Sequence, residues 1–483
     1  MGSRLSERVT SLDALVGDAI ERAVCVKHRR RLTRLGSHAL DPGQGWWAVG
    51  DPPPREGCEL RVLVDGQEAF AEIARAIGDA RESVCITGWH IAPQFELVRG
   101  EAVALGPLLA EMAERVDVRV LVWAGSPVPA FHPTRGETRE AIRALTRGTR
   151  IRCEPDPREH PFHCHHEKTV VVDGKLAFVG GIDMTDQAGD RYDTSAHPAR
   201  RRLGWHDVAA ALTGPAVQDV SDHFAVRWRA LTGENLDVSE PPRGTGHHTV
   251  QVVRTVAEGM YDELPRGDFR ILESYVRAIR QAESYIYLEN QFLWSPEIVS
   301  CLADKLATPP GDDFRLVIVL PSKANSGQDD TKGQLAVLES ADDGQGRLCV
   351  ATLRSLTGTR DDRLYVHAKV GIIDDRWLTI GSANLNAHSL LNDTEMNVVC
   401  DDPALASATR LRLWSEHLEV DPGQIADQAP RDVVDELWRP ITQEQLRRLE
   451  ANEAPTHRLL ALPGVSKRSG RLLGPLVGLI DDG

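Results

Sequence analysis

Seven consecutive positions, 160–166, read HPFHCHH and hold His160, His163, Cys164, His165 and His166. Imidazoles and thiols ligate metals, attack electrophiles or carry protons, so spacing has to separate these roles. A structural zinc site needs two ligand pairs that converge, and no second Cys/His pair is evident in the chain. If a strand already begins here, His163 and His165 face one way while Cys164 and His166 face the other, which divides the ligands. No metal is therefore expected. His163 and His165 are expected to line or rim a site, and His160 to be exposed.

The last of these histidines opens a repeat. HEKTVVVDGKLAFVGGID (166–183) returns as HAKVGIIDDRWLTIGSAN (367–384), at a constant offset of 201 through Lys168/Lys369, Asp173/Asp374 and Gly180/Gly381, with Asp183 opposite Asn384. The apolar run after each lysine predicts a buried strand, on which His166 and Lys168 share a face with Val170 and Val172, opposite Thr169 and Val171. Glycine where the second strand ends (Gly180–Gly181, Gly381–Ser382) lets backbone N–H groups approach an anion.

Two copies facing each other would set two imidazoles and two ammonium groups around one concavity. That set suits a phosphodiester. Lysines and amide donors stabilise charge on the non-bridging oxygens. One neutral imidazole attacks phosphorus, and the other, protonated, donates to the leaving oxygen. Water then reverses the roles, and the lysines supply the positive charge without a metal or other cofactor.

This pair of motifs closely resembles the phospholipase D superfamily, whose signature is H-x-K-x4-D followed by G-[GS]-x-[ND]; both copies match at every position. The blocks ESVCITGWHIAPQFEL, WHDVAAALTGPAVQDVSDHFAVRW, YIYLENQFLW and GSANLNAHSLLNDTEMNVV look like those of phosphatidylcholine-type phospholipase D enzymes, so the likeness covers roughly Cys58 to Val420. It implies His166, Lys168, His367 and Lys369 as catalytic groups, with His166 as nucleophile. It also implies an acidic residue past each motif that fixes its histidine's tautomer, for which Asp193 and Glu395 are the candidates. Gly181, Asp183, Ser382 and Asn384 would contact substrate, while Asp173 and Asp374 look like structural anchors of the strand turns. The expected reaction is hydrolysis of a glycerophospholipid to phosphatidic acid and a free head-group alcohol, with transfer to another alcohol as a second outcome. Alternatives are a cardiolipin synthase-like phosphatidyltransferase, a nuclease of the same superfamily, or a catalytically dead scaffold, against which the intact histidines and lysines argue. Tyrosyl-DNA phosphodiesterases lack the motif aspartate that both copies retain.

The elements that must position these residues repeat as well. AFAEIARAIGDA and ILESYVRAIRQA read as helices, RESVCITGW and AESYIYLEN as the strands that follow, with Ser83 and Ser284 again 201 apart. Strands alternating with helices predict an α/β class. The expected architecture is two similar α/β sandwich domains related by a pseudo-two-fold repeat, with the active site at their interface. The expected boundaries are an N-terminal extension 1–57, a first domain 58–240, a second domain 241–425 and a C-terminal region 426–483, with SEPPRGTGHH as the linker. GQDDTKGQ and ADDGQG read as surface loops. Trp205-His206-Asp207 lacks a serine nucleophile motif and reads as structural.

The formal net charge of −15 weakens any case for non-specific nucleic-acid binding, which depends on neutralising phosphates. The eight scattered cysteines form no C-x-x-C pair, which favours a reducing compartment. No signal peptide and no membrane-spanning run are evident. The expected state is a cytoplasmic monomer, with peripheral attachment to the inner face of a membrane as an option, acting on phospholipid with water or an alcohol as acceptor. VKHRRRLTRLG follows an amphipathic spacing at Leu12, Leu15, Val16 and Ile20 and reads as a solvated basic face, with docking to anionic lipid as its functional alternative. The terminal RLLGPLVGLIDDG is interrupted by Gly474, Pro475 and Gly478 and is expected to pack on the second domain.

Overall fold

Each copy of the motif folds as a hairpin whose turn explains its aspartate. Asp173 and Gly174 have φ of 54° and 62°, and Asp374 and Asp375 have φ of 55° and 48°. Two successive left-handed residues supply the twist of primed hairpin turns, and aspartate tolerates that region better than most residues. Each carboxylate then gathers the chain where a neighbouring strand begins. Asp173 accepts from the N–H groups of Arg81, Glu82 and Ser83 (2.7–2.9 Å), and Asp374 from those of Glu283, Ser284 and Tyr285 (2.7–2.8 Å).

This computed structural model describes residues 19, 21–101, 103–128, 131–158, 163–187, 189–198, 203–236, 242–322, 328–354, 356 and 364–462. The first copy contributes β1 (Arg55–Val64), β2 (Ser83–Gly88), β3 (Asp117–Trp123), β4 (Arg152–Asp156), β5 (Thr169–Val172), β6 (Leu176–Gly180) and β7 (Val208–Thr213). The second contributes β8 (His248–Val256), β9 (Tyr285–Glu289), β10 (Arg315–Val319), β11 (Leu348–Leu353), β12 (Val370–Ile373), β13 (Trp377–Gly381) and β14 (Glu395–Asp401), with β15 (Leu459–Ala461) at its edge. From one edge the order is β4-β3-β2-β5-β6-β7-β1, then β8-β14-β13-β12-β9-β10-β11, ending in β15. Outward from the centre the same strand order occurs twice. The halves join where β1 pairs antiparallel with β8, through Arg55↔Val250 and Cys58↔His248, so one mixed sheet is continuous across both.

Side-chain alternation sorts the core. Val171 of β5 and Val179 of β6 share one apolar cluster with Val370, Ile372, Ile380 and Val398 of the second copy. Val170, Val172 and Phe178 face the other way, against Phe70, Ile73 and Ile77 of the helix Asp65–Asp79. In the second copy Ile373 packs with Tyr275 and Ile279 of the helix Arg270–Gln281. Each fully buried aliphatic side chain contributes roughly 1.5–3 kcal/mol, so the apolar runs after both lysines anchor the hairpins between layers.

From Gln328 onward the polar stretch GQDDTKGQ is not a loop: Gln328–Asp342 is a helix. Leu335 and Leu338, three apart on one face, enter the second copy's core and hold it. The chain is also helical over residues 21–35, so VKHRRRLTRLG lies largely on a helix. Leu12, Leu15, Val16, Ile20, His160 and RLLGPLVGLIDDG lie outside the described residues, as do 239–241 of the expected linker. Among the described residues no helix is long and apolar enough to cross a membrane.

Candidate active site

His166 and His367 approach one pocket from the two copies, and each is oriented by the other copy. The His166 N–H donates to the carbonyl of Thr394 (3.0 Å), and its Nδ1 meets Oε1 of the next residue, Glu395, at 2.9 Å. The His367 N–H donates to the carbonyl of His206 (2.8 Å), and its Nδ1 meets Oδ2 of the next residue, Asp207, at 2.6 Å. Short parallel pairings carry both alignments: Leu364–Val366 beside Gly204–His206, and a bridge between His165 and Thr394. A carboxylate on Nδ1 leaves Nε2 free for chemistry.

The expected carboxylates are therefore corrected in two respects. Glu395 does orient a motif histidine, but that of the first copy. Asp193 orients neither motif histidine; its Oδ2 lies 3.0 Å from Nδ1 of His197. Asp207, read from the sequence as structural, takes the place assigned to it. Glu395 is fixed in turn by the hydroxyls of Ser389 (2.6 Å) and Ser382, both donating to it.

The pocket is lined by His166, Lys168, Asp183, His367 and Asn384, together with Trp89, Arg191, Trp205, Gln291 and Phe292. Lys168 Nζ donates to the His166 carbonyl (2.6 Å) and lies 3.3 Å from Asp183 Oδ2. Lys369 sits deeper, fully buried, bonded to the His367 carbonyl and to Gln291 Oε1 (3.1 Å). Burial pulls the Lys369 ammonium down to about 7 and pushes the Asp207 carboxyl up to about 7. His367 is held well below its ordinary value, first by burial and then by Lys369, Arg191 and Lys168.

Of the four expected substrate contacts, the fold brings two to the pocket. Asp183 and Asn384 line it, and Asn384 Oδ1 is buried without a hydrogen-bond partner among the described residues. Gly181 and Ser382 do not line it. The Gly181 N–H donates to the Val208 carbonyl (3.3 Å), and a Cβ there would stand 2.4 Å from Asp207 Oδ1, so this glycine makes room for the Asp207 carboxylate. The Ser382 N–H donates to the Met396 carbonyl (3.0 Å), leaving no backbone donor for an anion. Nor do His163 and His165 line the pocket. His165, buried, lies between Thr394 Oγ1 (2.8 Å) and Asp156 Oδ1 (3.1 Å), and His163 Nδ1 meets His388 Nδ1 at 2.9 Å.

Sequence reasoning missed Asp207 as an orienting group, and Arg191, Trp89, Trp205 and Gln291 as lining residues. The indole N–H groups of Trp89 and Trp205 are buried without acceptors among the described residues, and that of Trp205 lies against Gly189. Arg191 stacks over Trp205 at 3.9 Å, and the Trp205 ring lies 4.3 Å from that of His367. Trp205 and Asp207 sit in the noted WHD triplet; its period-two spacing put both on one face, which was the available signal. Among the described residues, three groups could hold a metal by proximity of ligand atoms: Asp65, His197, His206 and Glu416; His206, Glu289 and His417; and His163, His388 and Asp393.

Two family profiles match the chain, one described as Phospholipase D over residues 76–204 and one as Cardiolipin synthase, PLD-like domain, over residues 275–415. Together they cover more than half of it. The chain is 27% identical over 469 residues to Phospholipase D A of Dictyostelium discoideum, across 77% of this chain and 36% of that protein. It is 25% identical to Phospholipase D alpha 4 of Arabidopsis thaliana, across 74% of this chain and 64% of that one. The chain therefore spans less than two thirds of the length of either relative. Its fold is similar to that of phosphatidylserine synthase from Haemophilus influenzae Rd KW20, with a TM-score of 0.51 at 12% identity over 81% of this chain and 93% of that one. The profile matches fall on the two copies that supply the crossed histidine–carboxylate pairs, and the chain is a member of the phospholipase D superfamily.

Proposed function

We propose that the protein hydrolyses glycerophospholipids on the head-group side, releasing a free alcohol and leaving phosphatidic acid. The observation that carries this reading is the crossed pairing, His166 with Glu395 and His367 with Asp207, around a pocket lined by Lys168. His166 Nε2 attacks phosphorus, a P–N bond forms, and the bond from phosphorus to the head-group oxygen breaks. His367 gives its proton to that oxygen. His367 next takes a proton from water or an alcohol, whose oxygen attacks phosphorus and displaces His166. Transfer to an alcohol is then competition with water for one intermediate. Lys168 and Lys369 act as the charge-stabilising groups and Asn384 as a contact to a phosphoryl oxygen, so the chemical step calls for no metal.

His166 is the better candidate for nucleophile because its side chain is 12% exposed against 4% for His367. The lipid substrate is supported by relatives whose names are phospholipase D. The description of the second-copy profile supports phosphatidyl transfer as a second reading. We also read the molecule as two sandwich-like halves, 58–240 and 241–425, acting as a monomer at a membrane surface. The test is product analysis on mixed phospholipid vesicles with and without a primary alcohol. Release of choline, ethanolamine or serine with phosphatidic acid is expected, and a phosphatidyl alcohol when alcohol is present. Rapid DNA degradation with every phospholipid left intact would overturn the lipid assignment, and transfer with no hydrolysis would favour the transferase.

A further inference from the structure

The histidine-rich stretch finds its missing ligand pair in the other copy. His163 Nδ1 lies 2.9 Å from His388 Nδ1 and 3.4 Å from Asp393 Oδ1. All three ligand atoms fall within 4.8 Å of one another. A tetrahedral ion with bonds of about 2.0–2.1 Å spaces its ligand atoms roughly 3.3 Å apart, and the two measured edges bracket that value. The Asp393 carboxylate is aimed by the N–H of Cys164, which donates to Oδ1 at 2.9 Å. His388 and Asp393 are buried, while the His163 side chain is 13% exposed, so one side of the triad opens towards water.

We propose that His163, His388 and Asp393 bind one Zn2+, with a water in the fourth position. Two imidazoles and one carboxylate form a ligand set that zinc takes readily. The other two clusters lie deeper in the molecule, with every one of their histidines buried. The ion would act on position rather than on the phosphodiester, since none of its three ligands lines the pocket. His163 stands on the segment that leads into His166. His388 lies on the helix Ala387–Leu391 beside Ser389, whose hydroxyl holds Glu395. Zinc would staple the loop that carries one histidine to the helix that steadies its carboxylate.

The experiment is titration of the metal-stripped full chain with Co2+, in the absence of any lipid, followed by visible absorption and thermal midpoint. One equivalent should bind with the strong absorption of a four-coordinate ion, be displaced by Zn2+, and raise the midpoint. His163→Ala and His388→Ala should each weaken binding by more than about 100-fold, beyond the loss typical of outer partners. His163→Gln serves if the alanine variant does not fold. No binding by the wild type overturns the proposal. So does a signal that survives both histidine substitutions, or one that disappears only in His197→Gln. Because no substrate is present, failure here leaves the proposed reaction untouched.

Discussion

Asp193 and Asp207 both follow the first motif, yet only Asp207 reaches a motif imidazole. The distinction was not legible in the sequence because the partner of Asp207 is His367, 160 residues away, and local spacing carries no trace of it. By contrast, the histidines, the lysines, Asp183 and Asn384 were legible because an offset of 201 sets the two copies in register, with Asp183 opposite Asn384. If Asp207 sets the tautomer of His367, Asp207→Asn should lower kcat on a soluble short-chain substrate by roughly 10²–10⁴ with little change in KM. Asp193→Asn should fall far short of that, and equal losses in both variants would contradict the assignment. A second expectation concerns protons. His367 is held below its ordinary value by burial and by the nearby cations. A bound phosphodiester anion favours the charged imidazolium and raises that value, so binding at neutral pH should take up a proton. Calorimetry of a non-cleavable phosphodiester in buffers of different ionisation enthalpy reads this directly; proton release would contradict it.

At the scale of elements, the hairpins could be read from DGK and DDR because glycine and aspartate favour left-handed backbone. The helix Gln328–Asp342 could not, since five of its first six residues are polar and its apolar contacts with the core, through Leu335, Val337, Leu338 and Ala341, all come later. The turn aspartates matter for stability rather than chemistry. Asp374→Ala removes an acceptor shared by three backbone N–H groups and puts alanine at φ 55°. It should cost about 2–3 kcal/mol, read as a lower urea midpoint, while the folded fraction keeps its turnover. A full loss of turnover at unchanged stability would instead place Asp374 in the reaction.

Across the whole molecule, the copies are tied by buried charge as well as by β1 and β8. His206 bridges Asp65 (2.9 Å) of the first copy and Glu289 (3.1 Å) of the second, and Glu289 also meets His417 at 2.9 Å. His197 joins Asp193 to Glu416, with Nε2 3.1 Å from Oε1. Burial alone would lower His197, yet the hydrogen bonds to Asp193 and Glu416 raise it to about 9. A raised histidine stabilises fully below its unfolded value of about 6.5 and loses that contribution as pH rises through 9. Urea stability should therefore fall by on the order of 3 kcal/mol between pH 6 and pH 9.5, and His197→Gln should flatten that slope. None of these cross-copy pairs was legible, since each joins residues brought together only when two repeats pack. The same packing underlies the central claim, that His166 and His367 form one catalytic unit with a covalent first step. The direct measurement uses a phosphodiester with an activated leaving group that needs no proton. With it, His367→Ala should become phosphorylated on His166 and stall, because the base that activates water is missing, while His166→Ala should show no adduct. An adduct on His367 in the His166 variant would reverse the two roles, and no adduct in either variant would contradict the covalent account.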